Sequence, residues 1–109
     1  MHTVVETPEF LRAAKKAGMS EPEREAAVIF LAEHPQAGEM IEGSGGARKV
    51  RIAREGKGKS GGYRVVAYYR DLDTPVFLLT VISKGQRADL TAGQRKRVKG
   101  STRDEKRKL

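Results

Sequence analysis

The stretch GYRVVAYYRDLDTPVFLLTVISK, residues 62–84, decides the fold of this chain. Residues 62–70 are rich in β-branched and aromatic side chains, and residues 75–84 form a still more apolar run. The four residues between them, DLDT, are typical of a turn. The stretch therefore predicts two antiparallel strands, and the second, which is the most apolar, is predicted to be the central strand of a sheet.

Another strand precedes this hairpin. In the run RKVRI, residues 48–52, apolar and basic side chains alternate. Val50 and Ile52 therefore share one face of the strand, while Lys49 and Arg51 share the other. The connections between the strands are short, so we predict a meander of three antiparallel strands.

The N-terminal third of the sequence predicts a strand and two helices. A short apolar strand at residues 4–5 ends before Pro8, where a first helix begins and runs to Gly18. Ser20 and Glu23 have the spacing of a capping box, which opens a second helix. We expect this helical hairpin to cover the apolar face of the sheet, so that the basic side chains point away from it.

The C-terminal part predicts a short basic helix. Thr91 and Gln94 have capping-box spacing, and the helix is expected to reach about Lys99. The run STRDEKRKL beyond it offers almost nothing to bury. We therefore predict one domain over residues 1–99 and a basic, flexible tail over residues 100–109. The predicted fold class is α+β: an N-terminal strand and helical hairpin packed on a small antiparallel β-sheet, with a short C-terminal helix.

The amino-acid composition excludes several classes of functional site. The 109 residues include no cysteine and two histidines, so disulfides, thiolate catalysis and cysteine-based zinc sites are excluded. We expect neither a metal nor a cofactor. No apolar run approaches the ~20 residues of a membrane span, and no charged-then-apolar leader opens the chain. We therefore expect a soluble, cytoplasmic protein.

The net charge of +8 is unevenly distributed. Residues 1–42 carry four basic and eight acidic side chains, whereas residues 43–109 carry 18 basic and six acidic ones. A basic half of this kind favours a polyanionic partner, with nucleic acid the first candidate. The alternative is an ordinary solvated basic surface.

The stretch AREGKGKSGG, residues 53–62, fits a relaxed phosphate-loop pattern. Two glycines and then strand-forming residues follow Ser60, so no helix N-terminus is available to bind a nucleotide phosphate. We therefore reject a nucleotide site. The remaining interpretation is a mobile loop that presents Lys57 and Lys59 to an RNA backbone, and the alternative is an ordinary polar turn.

Together these features resemble the RelE/ParE toxin superfamily, and most closely the HigB/RelE-type toxins of type II toxin–antitoxin systems. The resemblance covers roughly residues 3–99. It is carried by the order of the elements and by three motifs: GSGGARKVR at residues 43–51, GKGKSGGYRVV at residues 56–66, and Lys84 with the Asp89-Leu90 pair.

The resemblance implies a metal-independent mRNA endonuclease, an mRNA interferase, that enters the A site of the 70S ribosome and cuts translated message. It also implies a cognate antitoxin, often a helix-turn-helix protein, through which the complex binds operator DNA. The matching catalytic positions are Arg51, Arg64 and Lys84. The matching RNA-binding positions are Arg48, Lys49, Arg54, Lys57, Lys59 and Arg87.

The chemistry is consistent with these residue types. Guanidinium groups such as those of Arg51 and Arg64 hold phosphate oxygens while the transition state gains charge. Lysines packed among other cations are candidates for proton transfer, and we assign this role to Lys84, assisted by Lys57 or Lys59.

The sequence also departs from the family pattern. Some relatives carry a tyrosine or histidine near the C-terminus as a base or a stacking group, and none follows Lys84 here. Tyr68 or Tyr69 would stack on a message base instead, although a core position is the favoured interpretation for both. Arg87 has no secure role, and Asp89 is a candidate cap for the last helix.

Two alternatives stay open. The gyrase-inhibiting, ParE-like branch shares the fold but lacks the basic catalytic cluster. A non-catalytic nucleic-acid-binding module would need only the basic half of the chain.

Overall fold

The computed structural model describes residues 2–54, 58–82 and 92–108, and it confirms the α+β class. The strands are β1 (Val4–Glu6), β2 (Glu39–Met40), β3 (Ala47–Arg54), β4 (Gly58–Tyr68) and β5 (Val76–Ile82). The helices are α1 (Pro8–Lys16), α2 (Glu21–Glu33) and α3 (Ala92–Lys108). Within the described ranges, no helix is long and apolar enough to cross a membrane.

The five strands form one sheet in the order β1-β5-β4-β3-β2. Strands β3, β4 and β5 pair antiparallel in sequence order, which confirms the predicted meander. Strand β1 lies parallel to β5, with Val5 opposite Phe77, so the sheet is mixed. Strand β5, the most apolar run, lies inside the sheet between β1 and β4, but β4 is the central strand, so the prediction that the most apolar strand is central is wrong.

The helical hairpin begins at two local caps that the sequence specifies. The Thr7 hydroxyl accepts a hydrogen bond from the Phe10 N–H at 3.2 Å. The Ser20 hydroxyl accepts one from the Glu23 N–H at 3.2 Å, and the Glu23 carboxylate accepts one from the Ser20 N–H at 2.7 Å, which confirms the capping box. Both helices therefore start where the sequence predicts.

The hairpin packs on one face of the sheet, which we call the hairpin face. Its core comes from all three strands of the meander and from both helices: Phe10, Ala14, Ala27, Leu31, Val50, Ile52, Tyr63, Val65, Ala67, Val76 and Leu78. The predicted inward pair, Val50 and Ile52, is buried here. The register of the sheet is thereby fixed, because a shift by one residue would move this apolar set to the other face.

Helix α3 packs on the opposite face, which we call the α3 face. Val98 joins a second apolar cluster with Ile41, Ala47, Val66, Tyr68, Phe77, Leu79 and Ile82. The helix continues to Lys108, so the prediction that the chain beyond residue 99 is a flexible tail is wrong. Thr102 and Glu105 are 1% and 8% exposed, and this burial holds the second half of the helix in place.

The stretch that resembled a phosphate loop belongs to a strand. Gly58, Lys59 and Ser60 lie in β4, where Gly58 pairs with Arg54, and the residues after Ser60 continue this strand, as predicted, rather than begin a helix. Lys59 was expected in a mobile loop, and its backbone is instead part of the sheet. The register shifts between Ile52 and Arg54, so β4 carries extra residues at this point.

Candidate nucleic-acid interface

Three basic side chains share the α3 face beyond the area that Val98 covers. Lys49 and Arg51 alternate with the buried Val50 in β3, and Arg64 alternates with the buried Val65 in β4. These alternations place all three on the face opposite the helical hairpin. We call Lys49, Arg51 and Arg64 the basic cluster.

Arg51 and Arg64 lie directly opposite each other across the β3–β4 pair. Side chains in such positions have Cβ atoms about 4.5–5.5 Å apart, and like charges there are destabilising. Arg51 is exposed and Arg64 is half-buried, so both remain accessible to a ligand. A paired arrangement of two guanidinium groups therefore costs stability in the free protein, and an anion between them would relieve the repulsion.

The other neighbour of Arg64 is apolar. On β5 it lies opposite Ile82, which is 4% exposed and belongs to the α3-face cluster. The stem of Arg64 therefore lies between an apolar side chain and a second cation. Such a position favours a fixed guanidinium that points away from the sheet.

Lys49 has different surroundings. It lies opposite Val66 on β4 and opposite Glu39 on β2, and it is half-buried. The carboxylate of Glu39 is therefore on the same face as the Lys49 ammonium group, as in a favourable cross-strand pair. Glu39 was not anticipated as part of this site, because a strand of two residues has no readable alternation.

Arg48 is not part of the basic cluster. It lies opposite Ala67, a hairpin-face residue, and one of its guanidinium nitrogens donates a hydrogen bond to the Gly38 carbonyl at 3.2 Å. Its predicted RNA-binding role therefore does not fit the site built by Lys49, Arg51 and Arg64. The signal was already present in the sequence, since Arg48 has the same parity as Val50.

The remaining candidates are only partly described. The backbones of Arg54 and Lys59 lie in β3 and β4, at the end of the hairpin nearest Arg51 and Arg64, while their side chains fall outside the described part of the structure. Lys57, Lys84 and Arg87, like Asp89, lie outside the described residues. Their roles stay predictions from the sequence.

All three tyrosines of the chain are held in the fold. Tyr63 and Tyr68 are 1% and 4% exposed. Burial is the main cause that raises the pKa of Tyr68, with a smaller opposing effect from Arg70 and a reinforcing one from Asp71. Tyr69 is half-buried, and its hydroxyl lies 3.2 Å from Nε2 of His2. The core interpretation of Tyr68 is confirmed, and neither it nor Tyr69 presents a free ring to the basic cluster.

Within residues 2–54, 58–82 and 92–108, no three histidine, aspartate or glutamate side chains converge as metal ligands. The basic cluster is cationic and rich in N–H donors. Two guanidinium groups and one ammonium group on an open strand face are suited to bind phosphate oxygens. The site is therefore a candidate interface for a nucleic-acid backbone.

A sheet with a helical hairpin on one face, and a C-terminal helix beside a basic cluster on the other, defines a small α+β protein with a candidate anion-binding surface. The family described as "RelE toxin of RelE / RelB toxin-antitoxin system" matches residues 2–106. The chain belongs to this family of toxins, as the sequence motifs indicated.

A solved structure supports the fold independently. The chain is similar to the toxin RelE of E. coli, in the structure of a double arginine-to-alanine mutant in the free state. The TM-score is 0.55 at 18% sequence identity, and the match covers 95% of this chain and 96% of the E. coli chain. At this identity the likeness concerns the fold alone.

Proposed function

We propose that this protein is the toxin of a type II toxin–antitoxin pair and acts as a ribosome-dependent, metal-independent endoribonuclease on translated mRNA. Membership of the RelE toxin family supports a toxin and, in general, a ribonuclease. The observation that carries the cleavage chemistry is the direct opposition of Arg51 and Arg64 on an accessible sheet face.

The reaction that suits such a site is an internal phosphoryl transfer. The ribose 2′-oxygen loses its proton to a base and attacks the adjacent phosphorus, and the bond from phosphorus to the 5′-oxygen breaks. The departing 5′-oxygen takes a proton, so the products are a 2′,3′-cyclic phosphate and a 5′-hydroxyl end. Negative charge builds on the non-bridging phosphate oxygens at the five-coordinate stage, and donors fixed in advance stabilise it.

Arg51 and Arg64 are the donors for those oxygens. Because they face each other across one strand pair, one phosphate group accepts hydrogen bonds from both guanidinium groups without a change of backbone. The binding of a phosphate also removes the repulsion between the two arginines, and this effect grows as the phosphate gains charge.

Lys84 is assigned to proton transfer on the strength of the sequence, with Lys57 or Lys59 assisting. Lys49, Arg54, Lys57, Lys59 and Arg87 are proposed to hold the flanking message. Arg48 is left out of this group because it lies on the hairpin face.

The proposal includes the partners that such a toxin requires. They are the A site of the 70S ribosome with its mRNA, and a cognate antitoxin that neutralises the toxin and through which the complex binds operator DNA. The toxin–antitoxin family supports the antitoxin partner. Translated message places the activity in the cytoplasm.

The test is message cleavage in a translating bacterial extract. Arg51→Ala and Arg64→Ala are each expected to lower the cleavage rate about 100-fold or more, because each removes a charged donor to the transition state. Arg70→Ala is the matched control, since this exposed arginine beside Asp71 lies two residues beyond the other end of β4, and it is expected to cleave at the wild-type rate.

The proposal fails if both Arg51→Ala and Arg64→Ala cleave as fast as the wild type. It also fails if expression in cells arrests growth with DNA damage and intact transcripts, which would identify a gyrase inhibitor instead.

A further inference from the structure

A second surface lies far from the basic cluster. It is an apolar groove of about 560 Å³ between the C-terminal end of α2 and the turn after β4, and Phe30, Tyr69 and Leu72 supply its large side chains. This volume is in the range of about 300–1,000 Å³ that is usual for ligand sites. Tyr69 has the hairpin-face parity, so the groove and the basic cluster are on opposite faces of the sheet.

The walls of the groove are fixed by local contacts that involve both histidines of the chain. The Tyr69 ring packs edge-on against His2 at 5.1 Å between centroids, and their polar atoms lie 3.2 Å apart. The His34 ring lies 4.9 Å from the Phe30 ring. A groove with walls held in this way is already shaped before a ligand arrives, which lowers the entropy cost of binding.

Leu72 is presented by a well-formed turn. The Asp73 N–H donates to the Asp71 carboxylate at 3.0 Å, and the Thr74 N–H donates to the Asp71 carbonyl at 3.3 Å. Leu72 itself is 80% exposed, and Phe30 is 39% exposed beside it. Single exposed apolar residues need no explanation, but a cluster that lines a preformed groove is typical of an interaction site.

Three acidic residues are sequence neighbours of residues that line the groove, and we call them the acidic rim. Glu33 is next to His34, and Asp71 and Asp73 flank Leu72; all three carboxylates are exposed. Arg70 lies 3.6 Å from Asp71 and offsets part of that charge. A negative rim repels a nucleic-acid backbone and attracts a partner with lysine or arginine beside its apolar side chains.

We propose that this groove is a docking site for a protein segment, an amphipathic helix that pairs one or two bulky apolar side chains with adjacent lysine or arginine. The apolar side chains fill the space between Phe30, Tyr69 and Leu72, and the cations meet the acidic rim. The antitoxin is the protein that carries this segment. The inference therefore rests on the antitoxin partnership in the proposed function, and it is independent of the cleavage chemistry.

The groove is remote from the basic cluster. Tyr69 is five residues beyond Arg64 along the chain, about 17 Å at the rise of an extended strand, and on the opposite face of the sheet. A segment seated in the groove leaves the basic cluster accessible. Binding at the groove supplies affinity, and a separate part of the antitoxin is then needed to block Arg51 and Arg64.

The test uses two labelled synthetic peptides and the full chain. Each peptide is a helix of about 14 residues with leucine along one stripe; one carries lysine beside the stripe and the other carries glutamate. Fluorescence anisotropy is expected to show binding of the lysine peptide with a Kd in the micromolar range, about 10-fold tighter than the glutamate peptide.

Variants of the groove locate the binding. Phe30→Ala and Leu72→Ala are each expected to weaken binding of the lysine peptide about 10-fold. Ile29→Ala is the matched control, because Ile29 is 54% exposed on the same helix but does not line the groove, and it should bind like the wild type. Charge reversal by Glu33→Lys with Asp73→Lys should invert the preference between the peptides.

Three results would overturn the inference: the lysine peptide does not bind, its affinity is unchanged by Phe30→Ala and Leu72→Ala, or the glutamate peptide binds the wild type more tightly. Displacement of the peptide by a single-stranded RNA, or a Leu72-dependent dimer in sedimentation, would identify a different occupant and would also overturn it. Leu72→Ala is expected to keep wild-type message cleavage, so a failure here is distinguishable from a failure of the nuclease proposal.

Discussion

The two faces of the sheet are built from alternate residues of the same strands, and they are covered to different extents. On the hairpin face, two helices cover an apolar core that extends from Val50 on β3 to Val76 on β5. On the α3 face, one helix covers the apolar end, and the basic cluster lies beyond it. Val65 is completely buried, while its neighbour Arg64 faces the candidate site.

The residues that stabilise the fold and the residues of the candidate site therefore lie mainly on opposite faces of the sheet. The hairpin face fixes the register, because its apolar residues have no alternative place to be buried. The α3 face can then hold Arg51 opposite Arg64, an arrangement that lowers stability by itself. Changes on the hairpin face should therefore alter unfolding, whereas changes in the basic cluster should alter cleavage with little effect on unfolding.

Gly62→Ala is expected to damage both faces and to have the largest effect. A Cβ atom at this position would lie 2.3 Å from the Ile52 carbonyl oxygen, so β3 and β4 would have to separate beside Arg51 and Arg64. The free energy of unfolding should fall by about 3 kcal/mol or more in urea denaturation, and message cleavage should fall with it.

The matched control is Gly100→Ala. A Cβ atom on Gly100 meets nothing within 4 Å, and the residue is inside α3, so alanine should stabilise the protein by up to about 1 kcal/mol. If Gly62→Ala were as stable as the wild type, the close approach of the two strands would have no energetic role.

Removal of residues 100–109 tests how much the second half of α3 stabilises the α3 face of the sheet. The truncated chain loses the buried Thr102, whose side chain lies 3.5 Å from the position that a Cβ atom on Gly45 would take. It also loses the last two turns of the helix, which hold Val98 over the sheet. We expect the free energy of unfolding to fall by about 2 kcal/mol. Arg103→Ala, an exposed change on the same helix, should stay within about 0.5 kcal/mol of the wild type.

Much of this architecture is predictable because it depends on local sequence. The caps at Thr7 and Ser20 involve residues three apart, and the alternation around Val50 determines which side of β3 faces the core. The same alternation placed Lys49 and Arg51 on the face opposite the hairpin. It also assigns Arg48 to the hairpin face, and the sequence interpretation overlooked this because RKVR reads as one basic run.

The rest depends on contacts between distant parts of the chain. Gly100 and the polar residues after it favour the end of a helix, but Thr102 is buried near Gly45, and tertiary packing overrides the weak local preference. Glu39 faces Lys49 only because a two-residue strand joins the edge of the sheet. The direct opposition of Arg51 and Arg64 could not be predicted, because it depends on the register between β3 and β4, which the sequence left open.

Tyr63→Phe tests a single hydroxyl group on the hairpin face. The Tyr63 hydroxyl lies 3.1 Å from the Gly18 carbonyl and 3.2 Å from the Glu23 carboxylate, so it links β4 to the start of α2. Loss of this hydroxyl should lower the free energy of unfolding by about 1 kcal/mol. Tyr69→Phe, whose hydroxyl is only partly buried, should cost less, and cleavage should be unchanged in both variants.

Tyr68→Phe has the smallest pH-dependent effect, and that effect is expected only at alkaline pH. Burial raises the pKa of Tyr68, so the folded protein keeps this proton more tightly than the unfolded chain does. The stability that comes from this difference is fully present below the unfolded pKa of about 10 and is lost as the pH rises above it. Thermal unfolding between about pH 9 and pH 11 should therefore show a steeper decline for the wild type than for Tyr68→Phe. Equal slopes for the two proteins would mean that Tyr68 on the α3 face ionises as easily in the folded state as in the unfolded one.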